Sequence, residues 1–218
     1  MPQIDLYGPA NVPYTEKCRR GLQFKGLSFT LHEPAGPEDY QRWNPKTGLL
    51  PAMRVDGELV IDSTDILLRI DEIQPDPPLL SPDPQVAEQQ RSLEDWADES
   101  FLYYFRRWVQ LTAEQQQPEK RRGPPALRAL AAWLAAGGTW ERPHTAILRG
   151  IDDRLSDLVN FLGSRNFFYA DQLSMADLSV YAMLLTCRNQ FMDGTGPLLA
   201  RQPTLLAFME RVERVTGG

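Results

Sequence analysis

The stretch Tyr7-Gly8-Pro9-Ala10-Asn11-Val12-Pro13-Tyr14-Thr15 is where this chain could hold a reacting atom. Turn residues run into a helical pattern, and Pro13 suits a first helical position, where its missing N–H would have had no partner anyway. A strand-to-helix junction of this kind favours an anion or a thiolate, because the unpaired N–H groups point at it. A hydroxyl or thiol just ahead of the proline would normally complete such a site, and here Val12 stands in that place. The donors left nearby are the Tyr7 phenol, the Asn11 amide, the Val12 backbone N–H, and Tyr14 or Thr15.

Other chemistry is sparse. Cys18 and Cys187 lie far apart without a C-x-x-C spacing, so neither a disulfide framework nor a dithiol redox site is expected, and Cys18 reads as packed and inert. His32 and His144 stand apart from any cluster with metal-ligand spacing, so no metal is expected. The formal net charge is −6 and the sequence pI is near 5.0, which disfavours nucleic acid and anionic membranes as partners. The only basic run, Lys120-Arg121-Arg122, reads as a solvated loop. The N-terminus lacks a basic-then-apolar signal pattern and no later run approaches a membrane span, so the expected location is the cytoplasm.

The elements that must position this junction follow from periodicity. Residues 3–7 alternate as a short strand, 13–25 read as a helix closed by Gly26, and 28–32 read as a second strand. Ala52–Val55 and Glu58–Ile61 flank Asp56-Gly57, a strong hairpin signal. Asp62, Ser63 or Thr64 caps a helix whose Ile66, Leu67 and Ile70 form an apolar stripe. Prolines between 75 and 84 make a stiff linker, and beyond it the pattern is helical throughout. Leu93, Trp96, Ala97, Phe101, Tyr104, Trp108 and Leu111 recur at three- and four-residue spacing. Further helices are expected at 125–136, 145–162, 175–189 and 203–215. The fold class is α+β: a βαβ-ββα domain over 1–74, a linker over 75–85, and an all-helical domain over 86–218.

Three motifs then carry a resemblance that spans nearly the whole chain. They are Asn44-Pro45 through Leu50-Pro51 to Asp62-Ser63, the segment 171–184 with Ser174 and Asp177, and the first strand and helix. In order and spacing they are similar to the cytosolic glutathione transferase superfamily. The resemblance implies a thioredoxin-like N-terminal domain, glutathione as substrate, a small hydrophobic electrophile as second substrate, and a homodimer. Pro51 takes the place of the family's cis-proline, so Leu50 would pair its backbone with the extended tripeptide as an added strand does. Asp62 and Ser63 take the place of the family's acidic-Ser pair, holding the γ-glutamyl ammonium and carboxylate. Lys46 would reach the glycyl carboxylate. Ser174 and Asp177 form a capping box and are assigned to folding.

Val12 bears directly on this reading. A cysteine-like thiol with a pKa of ~8.5 is only about 3% ionised at pH 7, and making it mostly thiolate takes roughly 2.7 kcal/mol. An exposed helix N-terminus supplies ~0.3–1 kcal/mol, whereas a hydrogen bond to a charged group supplies ~1.5–3 kcal/mol. A side-chain donor therefore matters, and valine has none. Asn11 with the helix N-terminus ranks first, then Tyr7, which closes the first strand as in the family's tyrosine-type classes. Tyr104 and Trp108, with Arg107 at the mouth, are the candidates for the second-substrate pocket, although an aromatic stripe at helical spacing is more often core. Three readings stay open: a glutathione-dependent enzyme acting by conjugation, by reduction of a disulfide or peroxide, or by dehalogenation; a non-catalytic binder of glutathione or an apolar ligand; and a scaffold.

Overall fold

The computed structural model describes residues 2–116 and 143–217. The N-terminal half runs β1 (Ile4–Tyr7), α1 (Pro13–Phe24), β2 (Thr30–His32), α2 (Pro37–Trp43), β3 (Ala52–Val55), β4 (Glu58–Ile61) and α3 (Ser63–Ile73). The sheet order is β2-β1-β3-β4, with β1 parallel to β2 and the β1–β3 and β3–β4 pairs antiparallel. Alternation sets the faces. Ile4, Leu6, Met53 and Val55 point into a core shared with Leu22 of α1 and Ile66, Leu67 and Ile70 of α3. Each such side chain contributes about 1.5–3 kcal/mol on burial. The Asp56-Gly57 turn has φ of 49° and 89°, the pair of positive values that an Asp-Gly hairpin turn supplies.

The second half is helical: α4 (Pro84–Gln116), α5 (Pro143–Leu162), α6 (Met175–Arg188), α7 (Thr195–Ala200) and α8 (Pro203–Val215). Helix α6 is buried along almost its whole length, so it forms the axis of this half, packed by α4 and by α1 of the first half. Its N-terminus is fixed as expected for a capping box. The fully buried Asp177 accepts from Ser174 N (2.9 Å), Ser174 Oγ (2.6 Å) and Phe168 N (2.8 Å). Among the described residues no helix is long and apolar enough to cross a membrane.

Three helices differ from the sequence expectation. Helix α2 went unread because seven residues with no apolar stripe carry no period; Gly36 and Pro37 start it. Helix α7 begins inside the Asp193–Pro197 stretch read as a turn. Helix α4 also starts at Pro84, inside the stretch read as linker. The helix expected at 125–136 and the basic run at 120–122 lie outside the described residues.

The linker is stitched down on both sides. Lys25, at the end of α1, has its ammonium buried against Asp71 of α3 and the carbonyls of Gln74 and Pro77. Leu79 N donates to Asp71 Oδ1 (2.8 Å), and Leu79 O accepts from Met175 N of α6 (2.9 Å).

Candidate active site at the N-termini of α1 and α3

Residues 8–12 carry the chain from β1 into α1. Val12 is the N-cap in extended conformation and makes no side-chain cap. Its backbone N–H, one of the donors expected from sequence, is already given to Pro9 O at 3.2 Å. The first intrahelical bond runs from Glu16 N to Val12 O. The N–H groups of Tyr14 and Thr15 thus remain as the orphan donors of the first turn. Asn11 is exposed on the turn just ahead of them, and the Thr15 hydroxyl is buried without a partner among the described residues.

Asp62 caps α3, accepting from Thr64 N at 2.9 Å through Oδ1, and its φ of 76° is left-handed. That conformation turns the chain sharply off the edge strand β4. Asp62 is exposed, whereas Ser63 behind it is buried. Between these two helix starts, Leu50–Pro51 is cis, and the β1–β3 ladder ends at Ala52, so Leu50 lies just beyond the last paired residue. The loop leading there is held by the buried Asn44. Its Nδ2 donates to Thr47 Oγ1 (2.7 Å) and Leu49 O (2.8 Å). In the sequence Asn44 stands only as the first residue of a motif, with no role assigned; its Asn-Pro position in a turn is the signal for one.

A buried ionic cage lies beneath the junction. Lys17 of α1, fully buried, donates to Glu94 Oε1 (2.5 Å) and Asp98 Oδ2 (2.6 Å) of α4. Glu94 Oε1 also accepts from Thr64 Oγ1 at 2.8 Å, which ties the cage to the start of α3. Burial, outweighing the opposing Lys17 ammonium, pushes the Asp98 carboxyl up to about 6, with the Glu94 and Asp62 carboxylates acting in the same direction. Tyr14 directs its hydroxyl at Asp98 O (3.4 Å), and burial, then Asp98, pushes its phenol up to about 12, so it is neutral in the physiological range. The sequence signal for this cage was α1 itself. Glu16, Lys17 and Arg20 are buried in a helix with little apolar surface, so their charges must meet partners. Glu94 and Asp98, four apart, share one face of α4.

The sequence-predicted residues fall into two sets. The sheet register sets Tyr7, Ala52 and Ile61 side by side, so the segments carrying Asn11 and Val12, Leu50 and Pro51, and Asp62 and Ser63 all leave the sheet at one end, at the starts of α1 and α3. Tyr7 sits on the opposite face of the sheet from Ile4 and Leu6. Its ring stacks on His32 (4.8 Å) and tilts against Trp43 of α2 (5.0 Å). Burial and the Asp5 carboxylate raise its phenol above the usual value. Lys46 is exposed in the loop between α2 and β3. Tyr104 packs in the α4–α5 seam, where a Cβ on Gly150 would come within 2.6 Å of its hydroxyl, and Trp108 meets His144 edge-on at 4.5 Å. Arg107 is exposed beyond them. The α4 face that carries Asp98 toward α1 continues instead through Leu102 and Phe105 at helical spacing. Cys18, as expected, is buried, and burial raises its thiol well above the usual range.

Comparison with known proteins agrees with this architecture. Residues 6–78 match the glutathione S-transferase N-terminal domain family, and residues 142–216 match the glutathione S-transferase C-terminal domain family. No curated protein sequence matches the chain. Among solved structures, a rice glutathione S-transferase in complex with glutathione is 21% identical with a TM-score of 0.70, covering 98% of this chain and 87% of that one. A glutathione S-transferase from Methylobacterium radiotolerans, complexed with glutathione sulfonate, is 27% identical with a TM-score of 0.65, covering 97% and 90%. The beta-etherase LigF from Sphingobium is 20% identical with a TM-score of 0.69, covering 97% and 95%. A thioredoxin-like domain followed by a helical domain, matched by both domain families in order, places the chain in the glutathione transferase superfamily.

Proposed function

We propose that this chain is a glutathione transferase-like enzyme that binds glutathione and directs its thiolate at a small hydrophobic electrophile. The observation that carries the reading is the convergence of two helix N-termini, α1 and α3, on either side of Leu50–Pro51. The γ-glutamyl end sits at Asp62 and Ser63, the peptide pairs with Leu50, and the sulfur lies at the start of α1. There the Asn11 amide and the free first-turn N–H groups are its donors, because Val12 has no side-chain donor and its N–H is given to Pro9. Tyr7 is read as a packing residue, since its ring is taken up by His32 and Trp43. The second substrate lies along Leu102 and Phe105 of α4. Detoxification in the cytoplasm is the setting this chemistry fits. A homodimer is read from the exposed Leu49 and from a groove on the α4–α5 face lined by Leu93, Trp96, Leu158 and Phe161.

The test has two arms. Calorimetric titration with glutathione gives binding that Asp62→Ala and Ser63→Ala each weaken by tenfold or more; absence of any heat removes the reading. Ultraviolet absorbance of the bound thiolate across pH then reports activation, with a thiol pKa lowered by ~1–2 units and raised again in Asn11→Ala. The second reading, a non-catalytic glutathione binder, is favoured by Val12. It wins if glutathione binds with an unshifted thiol and Val12→Ser creates conjugation activity from none.

A further inference from the structure

The helical half encloses a small cavity that the glutathione reading leaves unused. It lies between α4, α5 and α6 and holds about 20 Å³, room for one water-sized sphere. Three sulfur-bearing side chains line it, Met183, Cys187 and Met192, and all three are buried. Met183 and Cys187 are four apart on α6, which sets them on one face with Cβ atoms about 5–6 Å apart. Met192 is brought back to them by the turn that follows α6. Gln190, with φ of 54°, reverses the chain there. The buried Thr195 hydroxyl donates to Met192 O (2.7 Å) and lies 3.2 Å from Cys187 O. One side chain thus pins both residues of the turn that carry sulfur.

The remaining walls, Phe101, Ile151 and Leu155, are apolar and buried. Such a lining offers little to a water, which needs two to four polar partners, and resists an uncompensated charge. Among the described residues that line it none is acidic. Ser100, Tyr104 and Arg154 are only half-buried and form its way in. The Arg154 charge is taken up outside, by Asp157 at 3.0 Å and the Trp96 ring.

We propose that Met183, Cys187 and Met192 form a site for one soft monovalent metal ion, copper(I). Thiolate and thioether sulfur favours this ion, and the unbranched methionine side chains can close around it. On binding, the S–H bond of Cys187 breaks, a sulfur–copper bond forms, and the proton leaves to solvent; the copper keeps its oxidation state. One positive charge replaces another, so the site stays neutral, as an apolar lining demands. Zinc would leave a net charge there and would lack the fourth ligand of a structural zinc site. An iron–sulfur cluster calls for more thiolates than the one present. Among the described residues no three His, Cys, Asp or Glu side chains group as metal ligands, and thioethers fall outside that pattern.

The test is an anaerobic titration of the full-length, glutathione-free protein with copper(I) against a colorimetric copper(I) chelator. The wild type is expected to take one ion per chain. Cys187→Ser is expected to lose more than about 100-fold in affinity, beyond what an outer partner of a metal site costs. Met183→Leu and Met192→Leu, which keep the volume, are expected to lose about tenfold each, and Cys18→Ser to bind as the wild type does. X-ray absorption at the copper edge of the loaded wild type should count three sulfur neighbours, and it decides the matter even where a variant fails to fold. No competition with the chelator, fewer than three sulfurs, equally tight zinc binding, or affinity intact in Cys187→Ser overturns the inference. The glutathione reading stands or falls separately, on its own titration.

Discussion

Two charged contacts of α1, a front one with α4 through Lys17 and a rear one with the C-terminal helices through Arg20, solve the same problem, buried charge at a domain boundary, in opposite ways. At the rear, Arg20 donates to Glu16 Oε1 (2.8 Å), Thr216 Oγ1 (2.6 Å) and Tyr181 Oη (3.1 Å), and Glu16 also holds Arg19. Tyr181 passes the chain of bonds on to Glu213 (2.9 Å), which Arg188 meets at 2.7 Å. In that network cations and acceptors are matched, and Glu213 is held below the usual carboxylate value by Arg188 and Tyr181 despite its partial burial. At the front, Lys17 serves two carboxylates, Asp98 is pushed up, and Glu94 keeps an oxygen unpaired. The rear is saturated and binds the two halves together. The front is left unfinished beside the candidate site, as expected where a ligand completes the electrostatics.

The largest effect should come from Lys17→Met. It strands two carboxylates inside the boundary, and a loss of about 3–5 kcal/mol is expected in urea unfolding, along with loss of glutathione binding in calorimetry. Arg20→Met tests the rear contact. It should cost about 2–3 kcal/mol, less because Arg19 still neutralises Glu16, and it should leave glutathione affinity as in the wild type. Equal effects of the two variants on binding would erase the distinction between the two contacts.

A pH series sharpens the contrast. Asp98 has a folded value of about 6 against 3.8 as the ordinary value, so the folded state binds its proton more tightly. Its contribution to stability therefore grows as pH falls through 6 toward 4, by on the order of 2 kcal/mol. Comparing wild type with Asp98→Asn across this range isolates that slope, because Glu213 at the rear, shifted downward, acts only at lower pH. The smallest stability change is expected for Asp62→Ala, about 1 kcal/mol for a lost N-cap, read as a small fall in melting temperature despite a tenfold or greater fall in glutathione affinity.

Most of the frame could be read in the sequence because local rules state it. The Asp56-Gly57 hairpin, the Asp62 cap and the Ser174–Asp177 box each depend on residues within four positions of one another. Helix α2 carries no amphipathic stripe; a proline start after Gly36 and the local bonds of Asp39 with Ala35 N and Arg42 hold its seven residues, and neither has a period to read. The residues expected at a second-substrate pocket show where period alone stops. Tyr104 and Trp108 obey helical spacing, yet that spacing gives a face without saying what the face meets. The structure turns it to Gly150 and His144 rather than to α1. The Lys17 cage pairs residues 77 and 81 positions apart, a match that no window along α1 or α4 displays.

The grip of Lys25 on Asp71 and the Gln74 and Pro77 carbonyls, with Leu79 bonded to both α3 and α6, has a practical corollary for dissection. The proline-rich segment looks like a natural place to cut the gene, but it behaves as a seam rather than a tether. Fragments ending near residue 75 would each carry away half of a shared hydrogen-bonded joint and expose the α1 and α6 surfaces that now cover one another. Expressed separately, the two pieces should aggregate, and expressed together they should re-form a complex without any covalent connection.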